Sequence, residues 1–111
     1  MHGEAGFQKT RALLVDRGFA EDDVQAYTGE AFGSWLVTLR TSPRLRIIWD
    51  GKDEWAIIAA ELSSLPRPRG YSEWRDFWIG KRPEDITPEA VVSVVENLRD
   101  FAIEVARREE P

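Results

Sequence analysis

Three carboxylates, Asp50, Asp53 and Glu54, fall within five residues and are flanked by Trp49 and Trp55. A carboxylate pair held against indoles can act as acid and base when burial drives the two pKa values apart. Here the residues read as a hairpin loop, Asp50–Glu54, where Asp and Gly serve backbone geometry first, and a loop position does not by itself bury a carboxylate. A second run, Glu21-Asp22-Asp23, has the charge for a divalent cation but not the spacing of a calcium loop, and is read as a solvated loop. A third set, Glu96, Asp100 and Glu104, recurs at i, i+4, i+8 on one side of a helix. Like charges at that spacing weaken a helix by a few tenths of a kcal/mol per pair. That makes the ridge a candidate contact for a basic partner, with Arg99 and Arg108 placed to neutralise part of it.

Other chemistry is excluded by composition. The chain has no cysteine, so Cys/His arrangements and His/Cys zinc sites cannot be assembled, and its one histidine, His2, is read as an inert terminal residue, so no Ser/His/Asp arrangement is expected. Neither GxGxxG nor GxxxxGK[ST] occurs, so no phosphate-cradling loop is expected. No cofactor and no metal are expected, and the chain is read as a non-enzyme. The net charge of −5 argues against a nucleic-acid backbone as partner. Of fifteen basic residues three are lysine (Lys9, Lys52, Lys81), leaving twelve arginines, the residue better suited to interfaces. No apolar run approaches the ~20 residues of a membrane span, and the first residues lack a signal-peptide core. These features lead to an expected cytoplasmic protein.

The elements that would carry these residues are legible in part. The 111 residues suit one domain, 1–111. Strands are expected over Trp35–Thr41, Leu45–Asp50 and Trp55–Leu62, from their β-branched and aromatic content. Ser42-Pro43 breaks the first pair, and Gly51 is expected to supply a positive φ in the second turn. Alternation puts Trp35, Val37 and Leu39 with Leu45, Ile47 and Trp49, and Trp55, Ile57 and Ala59 on one face of the third strand. The opposite faces (Leu36, Thr38, Arg40; Arg46, Ile48, Asp50; Ala56, Ile58, Ala60, Leu62) are too apolar for a fully wet surface. Coverage by the following aromatic segment, or by a partner, is expected there.

Glu4–Arg17 reads as a first helix closed by Gly18 at C′ and Phe19 folding back on Leu14. Val24–Phe32 is a candidate fourth, edge strand, and Ser63–Gly70 a connection with a short Pro-Arg-Pro-Arg stretch. Residues 73–79 read as a short helix with Ser72 as N-cap, since Trp74, Phe77 and Trp78 fall at i, i+3 and i+4. With Tyr71 they could close the core or bind a partner; Trp74 and Trp78 are the binding candidates. The last helix, 88–108, opens on Thr87 as N-cap and Pro88 at N1. The expected fold is α+β: an antiparallel three- to four-stranded meander packed by an N-terminal and a long C-terminal helix.

An acidic, cysteine-free chain with a sheet around an Ile-Trp-Asp-Gly hairpin (Ile48–Gly51), a tryptophan-bearing segment and a last helix opening Ile-Thr-Pro-Glu (Ile86–Glu89) resembles the small immunity proteins of bacterial toxin systems. The resemblance spans roughly Phe32–Ala106 and implies a cytoplasmic protein that binds and blocks a cognate toxin, of which a basic nuclease would suit the charge. It assigns no residue a role. The expected function is therefore a non-enzymatic protein-binding module, in its most concrete form an immunity-type inhibitor. The alternatives are a homodimeric structural domain and a small ligand-binding domain with a tryptophan-lined pocket.

Overall fold

The computed structural model describes Met1 and residues 3–27, 33–62 and 73–109. The element order is α1 (Gly3–Asp16), β1 (Glu21–Ala26), β2 (Trp35–Leu39), β3 (Leu45–Asp50), β4 (Trp55–Leu62), β5 (Glu73–Gly80), a 3-10 turn (Pro83–Asp85) and α2 (Pro88–Glu109). All five strands form one antiparallel meander in chain order. The chain is thus α+β, as expected, with two strands more than the three central ones. His2, the 63–70 connection, Tyr71 and Ser72 lie outside the described residues, as does most of the second half of the expected 24–32 strand.

Both helices end as their sequences dictate. Gly18 adopts φ +87°, which lets its N–H reach Val15 O and Phe19 N–H reach Leu14 O, both at 3.0 Å. Phe19 and Leu14 are then both buried in the core, the apolar contact that accompanies this C-terminal motif. At the start of α2 the Thr87 hydroxyl accepts from Ala90 N–H at 3.1 Å, and Lys9 of α1 pairs with Glu89 at 2.6 Å. On the inward side of α2, Val91, Val92, Val95 and Ala102 are buried. They pack with Phe7 and Leu14 of α1 and with one face of the sheet in a single cluster.

That sheet face consists of Trp35, Val37 and Leu39, then Leu45, Ile47 and Trp49, then Ala56, Ile58, Ala60 and Leu62, all buried. The third group corrects the expected face assignment of β4. The hairpin loop holds four residues, Gly51 to Glu54, so Asp50 faces Trp55 and Trp49 faces Ala56. Directly opposed residues share a face. Ala56 and Ile58 therefore join the core, and Trp55, Ile57 and Ala59 turn to the other side. The one-residue slip matters because the side-chain period of a strand is two.

The same loop revises the role given to Gly51. The positive φ, 59°, is at Glu54. The Asp50 carboxylate organises the turn instead, accepting from Lys52 and Asp53 N–H at 3.0 and 3.1 Å. A non-glycine residue in the left-handed region costs about 1 kcal/mol. Glu54→Gly is therefore expected to stabilise the fold by at most about 1 kcal/mol, because glycine also loses more chain entropy. Thermal unfolding should show a Tm raised by about 4 °C. An unchanged or lowered Tm would contradict the assignment.

Two further expectations are corrected. Glu21-Asp22-Asp23 is the first half of edge strand β1, not a loop; it pairs with β2 through an irregularity between Glu21 and Asp23. Residues 73–79 are not a helix but most of β5, which pairs with β4 along its whole length. Register there shifts by one residue: Ile58 faces Trp78 while Ala59 faces Asp76, leaving Phe77 as the extra residue of a bulge. The bulge imitates a helical spacing. It sends Phe77 and Trp78 to the core side and leaves Trp74 on the other face. Phe77 meets Phe101 of α2 edge-on, with ring centroids 5.5 Å apart. The Trp78 indole lies over Gly80, where a Cβ would stand 2.3 Å from the ring. Trp78 therefore leaves no room for a side chain at position 80.

Candidate functional site

Because α1 and α2 both pack on one side of the sheet, the other side carries no described element. Its residues follow from the register. Leu36 faces Ile48, Ile48 faces Ile57, and Ile57 faces Ile79. These four side chains form a continuous apolar row across β2 to β5, about 14 Å long at ~4.8 Å per strand. Leu36, Ile48 and Ile57 are half-buried, and Ile79 is 46% exposed. The four residues are thus adjacent in one row rather than scattered singly.

Beside this row lies a polar one. Thr38 faces Arg46, Arg46 faces Ala59 and Ala59 faces Asp76. Thr38 is fully buried, and its hydroxyl accepts from Arg46 Nε at 3.0 Å. The Arg46 guanidinium lies over the Trp74 ring, 3.8 Å from its centroid, and that of Arg44 is 5.7 Å away. Burial pushes the Arg46 guanidinium down from the ordinary arginine value, and the charge of Arg44 adds to the shift. Arg44 itself is saturated. It donates Nε and Nη2 to the two Glu61 oxygens at 3.0 and 2.6 Å, and Nη1 to Asp22 at 2.6 Å. Those bonds raise its pKa. At the far end of the face the Lys81 ammonium sits 4.2 Å from the centre of the Trp55 ring.

The acidic candidates are distributed differently. Glu21 is gripped by Arg11, whose Nε and Nη2 lie 2.7 and 2.8 Å from its oxygens, and this holds its carboxyl below the usual range. A depressed folded-state value stabilises the fold at pH values above the unfolded carboxyl's titration. The contribution disappears as pH falls through the folded value. With side chains 33% and 22% exposed, screening limits it to about 1 kcal/mol. Arg11→Leu should therefore lower stability by up to about that amount at neutral pH, with the difference from wild type vanishing in acid. Denaturant midpoints measured across pH check this, and a pH-independent difference would contradict it.

Of the ridge, Glu96 is paired with Arg17, Asp100 lies 3.9 Å from Arg99 and Glu104 3.6 Å from Arg108. The ridge exists on the outer side of α2, but each acid has an arginine beside it. In the hairpin, Asp50 is committed to backbone N–H groups, and Asp53 and Glu54 are exposed. Trp49 and Trp55 point to opposite sides of the sheet, so they do not bracket these carboxylates. Hairpin and ridge are not brought together by any described contact. Of the two tryptophans singled out, Trp74 belongs to the sheet face opposite the helices and Trp78 packs against the core. Sequence reasoning finds Trp74 but misses its pairing with Arg46, and it places Ile57 on the wrong face. The four-residue loop between the expected strands is the signal that places Ile57, whereas the bulge at Phe77 hides the strand that sets Trp74 on the face of Arg46.

A groove of about 450 Å3 opens at the sheet end between Thr41, Arg44, Glu61 and Leu62 on one side and Ile103 and Arg107 of α2 on the other. A shallower one of about 540 Å3 lies between α1 and Glu21. Neither is lined by tryptophan. Among the described residues, no group of three His, Asp or Glu side chains could hold a metal, and no helix is long and apolar enough to cross a membrane.

The fold and surface define an α+β protein: a five-stranded antiparallel meander, two helices on one face, and an apolar row beside an arginine–indole stack on the other. No protein-family model, no curated protein and no solved structure matches the chain.

Proposed function

We propose that the protein is a non-enzymatic protein-binding module whose partner docks on the face of the sheet opposite α1 and α2. Its most concrete form is an immunity-type inhibitor of a cognate bacterial toxin, acting in the cytoplasm. The observation that carries the binding reading is the row Leu36, Ile48, Ile57 and Ile79, joined strand to strand with no described element upon it. The row supplies binding energy through desolvation. The net charge of −5 would draw in a basic partner by long-range steering, which sets association rate more than affinity. Asp53, Glu54, Asp100 and Glu104 are exposed contributors to that field.

The test is capture from native lysate on three immobilised proteins: wild type, Ile57→Asp, and the double variant Asp100→Lys/Glu104→Lys. One basic polypeptide should be retained in stoichiometric amount by wild type and lost on Ile57→Asp. The ridge variant should retain it but associate several-fold more slowly at low salt. Equal retention on Ile57→Asp would overturn the assignment of the face. A second copy of the chain is the alternative occupant, because the same apolar row is available on every molecule. Light scattering decides between them: a wild-type dimer reduced to monomer by Ile57→Asp would replace the inhibitor reading with a homodimeric one.

A further inference from the structure

We infer that the sheet face opposite the helices contains a receptor for a single carboxylate, formed by the guanidinium of Arg46 on the Trp74 ring, and that the partner delivers this carboxylate on a side chain two residues from an apolar one along an extended segment. The inference rests on the binding reading of this face and specifies its chemistry.

Arg46 differs from most of the other described arginines. Arg11, Arg17, Arg40, Arg44, Arg82, Arg99 and Arg108 each lie within 4.0 Å of a carboxylate. Arg46 has no such pair among the described residues, where its one hydrogen bond runs from Nε to the Thr38 hydroxyl. Asp23 and Glu61 act on it only through space. A guanidinium carries five N–H donors in one plane. Stacking on Trp74 covers a face of that plane and leaves the edge, so both Nη groups keep their donors. The Thr38 bond fixes Nε and with it the orientation of the fork. An arginine immobilised, partly desolvated and left without an anion is preorganised for a planar bidentate acceptor.

The surroundings select the anion. Arg44, the nearest other cation, is already bound to Glu61 and Asp22, and Asp23 and Asp76 end the same cross-strand row, so the site offers one guanidinium fork among carboxylates that disfavour a second negative charge. That matches a monoanionic carboxylate better than a dianionic phosphate, on a protein whose net charge is −5. Ile48 is two residues from Arg46 on the same strand face, about 7 Å away. Ile57 and Ile79 extend that apolar surface. The ligand that fits both features carries a carboxylate and an apolar group about 7 Å apart, as an Asp or Glu two residues from a Leu or Val on an extended strand does. The net charge and this contact are compatible, since steering is set by the whole surface and the receptor needs one carboxylate.

The test is a titration of isotope-labelled protein followed by NMR, with hexanoate as probe and hexylammonium and hexyl phosphate as comparisons. Hexanoate should shift Arg46 Nε–Hε, the Trp74 indole N–H and the Ile57 and Ile79 methyl signals together, saturating at roughly millimolar concentration as suits so small a ligand. Hexylammonium should leave Arg46 unmoved. Arg46→Gln should weaken hexanoate about tenfold or more, and Arg46→Lys, which keeps the charge but not the fork, should recover only part of it. The receptor is overturned by no saturable shift at Arg46, by equal binding to Arg46→Gln, or by hexyl phosphate binding more tightly than hexanoate. The two readings fail separately. If hexanoate fails at Arg46 while partner capture still depends on Ile57, the carboxylate receptor is wrong and the face stands. If capture ignores Ile57, the face itself is wrong.

Discussion

Ile58→Asp is expected to unfold the domain at room temperature, whereas Ile57→Asp, one residue earlier, is expected to leave it folded. Ile58 is 0% exposed, opposite Ile47 at the centre of the cluster. Truncating a buried isoleucine costs about 2–5 kcal/mol, and placing a carboxylate there without a partner adds several more. The sum approaches the whole stability of a small domain, about 5–15 kcal/mol. Ile57 points to the face that no described helix covers. The penalty there is the poor strand preference of Asp and weaker packing against Ile48 and Ile79, together about 1–2 kcal/mol. Circular dichroism with urea unfolding compares the two directly. The reverse order would mean that β4 has its other face in the core.

The second large effect is on binding. Trp74→Ala should weaken the captured partner by at least about 2 kcal/mol, roughly thirtyfold, the penalty typical of a central tryptophan at an interface. It should cost the fold only about 1 kcal/mol, since the Trp74 ring stacks chiefly on the Arg46 guanidinium. Trp78→Ala should do the opposite, because Trp78 lies over Gly80 and against the core. It should lower stability by about 3 kcal/mol or more and leave the affinity of the remaining folded protein within about threefold of wild type. Calorimetry on the folded variants, alongside their unfolding curves, separates the two tryptophans. Weaker affinity confined to Trp78→Ala would contradict the division of β5 between two faces.

What the sequence discloses depends on whether the deciding signal is local. The α1 terminus is legible because Arg17-Gly18-Phe19 contains all of its own chemistry, and the N-terminus of α2 because Thr87-Pro88-Glu89 does. The three central strands are legible from composition. The faces of β4 follow from the expected strand ends too, since Leu45–Asp50 and Trp55–Leu62 leave four loop residues and set Asp50 opposite Trp55; grouping Trp55 with the core-side tryptophans ignores that count. β5 reads as a helix because a bulge at Phe77 breaks the alternation and leaves a helical spacing of aromatic residues. The hydrogen bonds that make it a strand come from β4, which lies beyond that segment. β1 is hidden by its charge, since each of Glu21 and Asp22 is held by an arginine distant in sequence. The site follows the same rule. Trp74 is conspicuous by type, but its partner Arg46 becomes visible only once both are known to lie on strands of one sheet face.

The most direct test of the central claim uses the isoleucines, which mark both sides of the sheet. Protein labelled at isoleucine methyl groups would be mixed with its captured partner. Ile48, Ile57 and Ile79 should shift or broaden, while Ile47 and Ile58 beneath the helices should not. Perturbation of Ile103 on α2 with the three outer methyls unchanged would place the partner on the helical side and contradict the account.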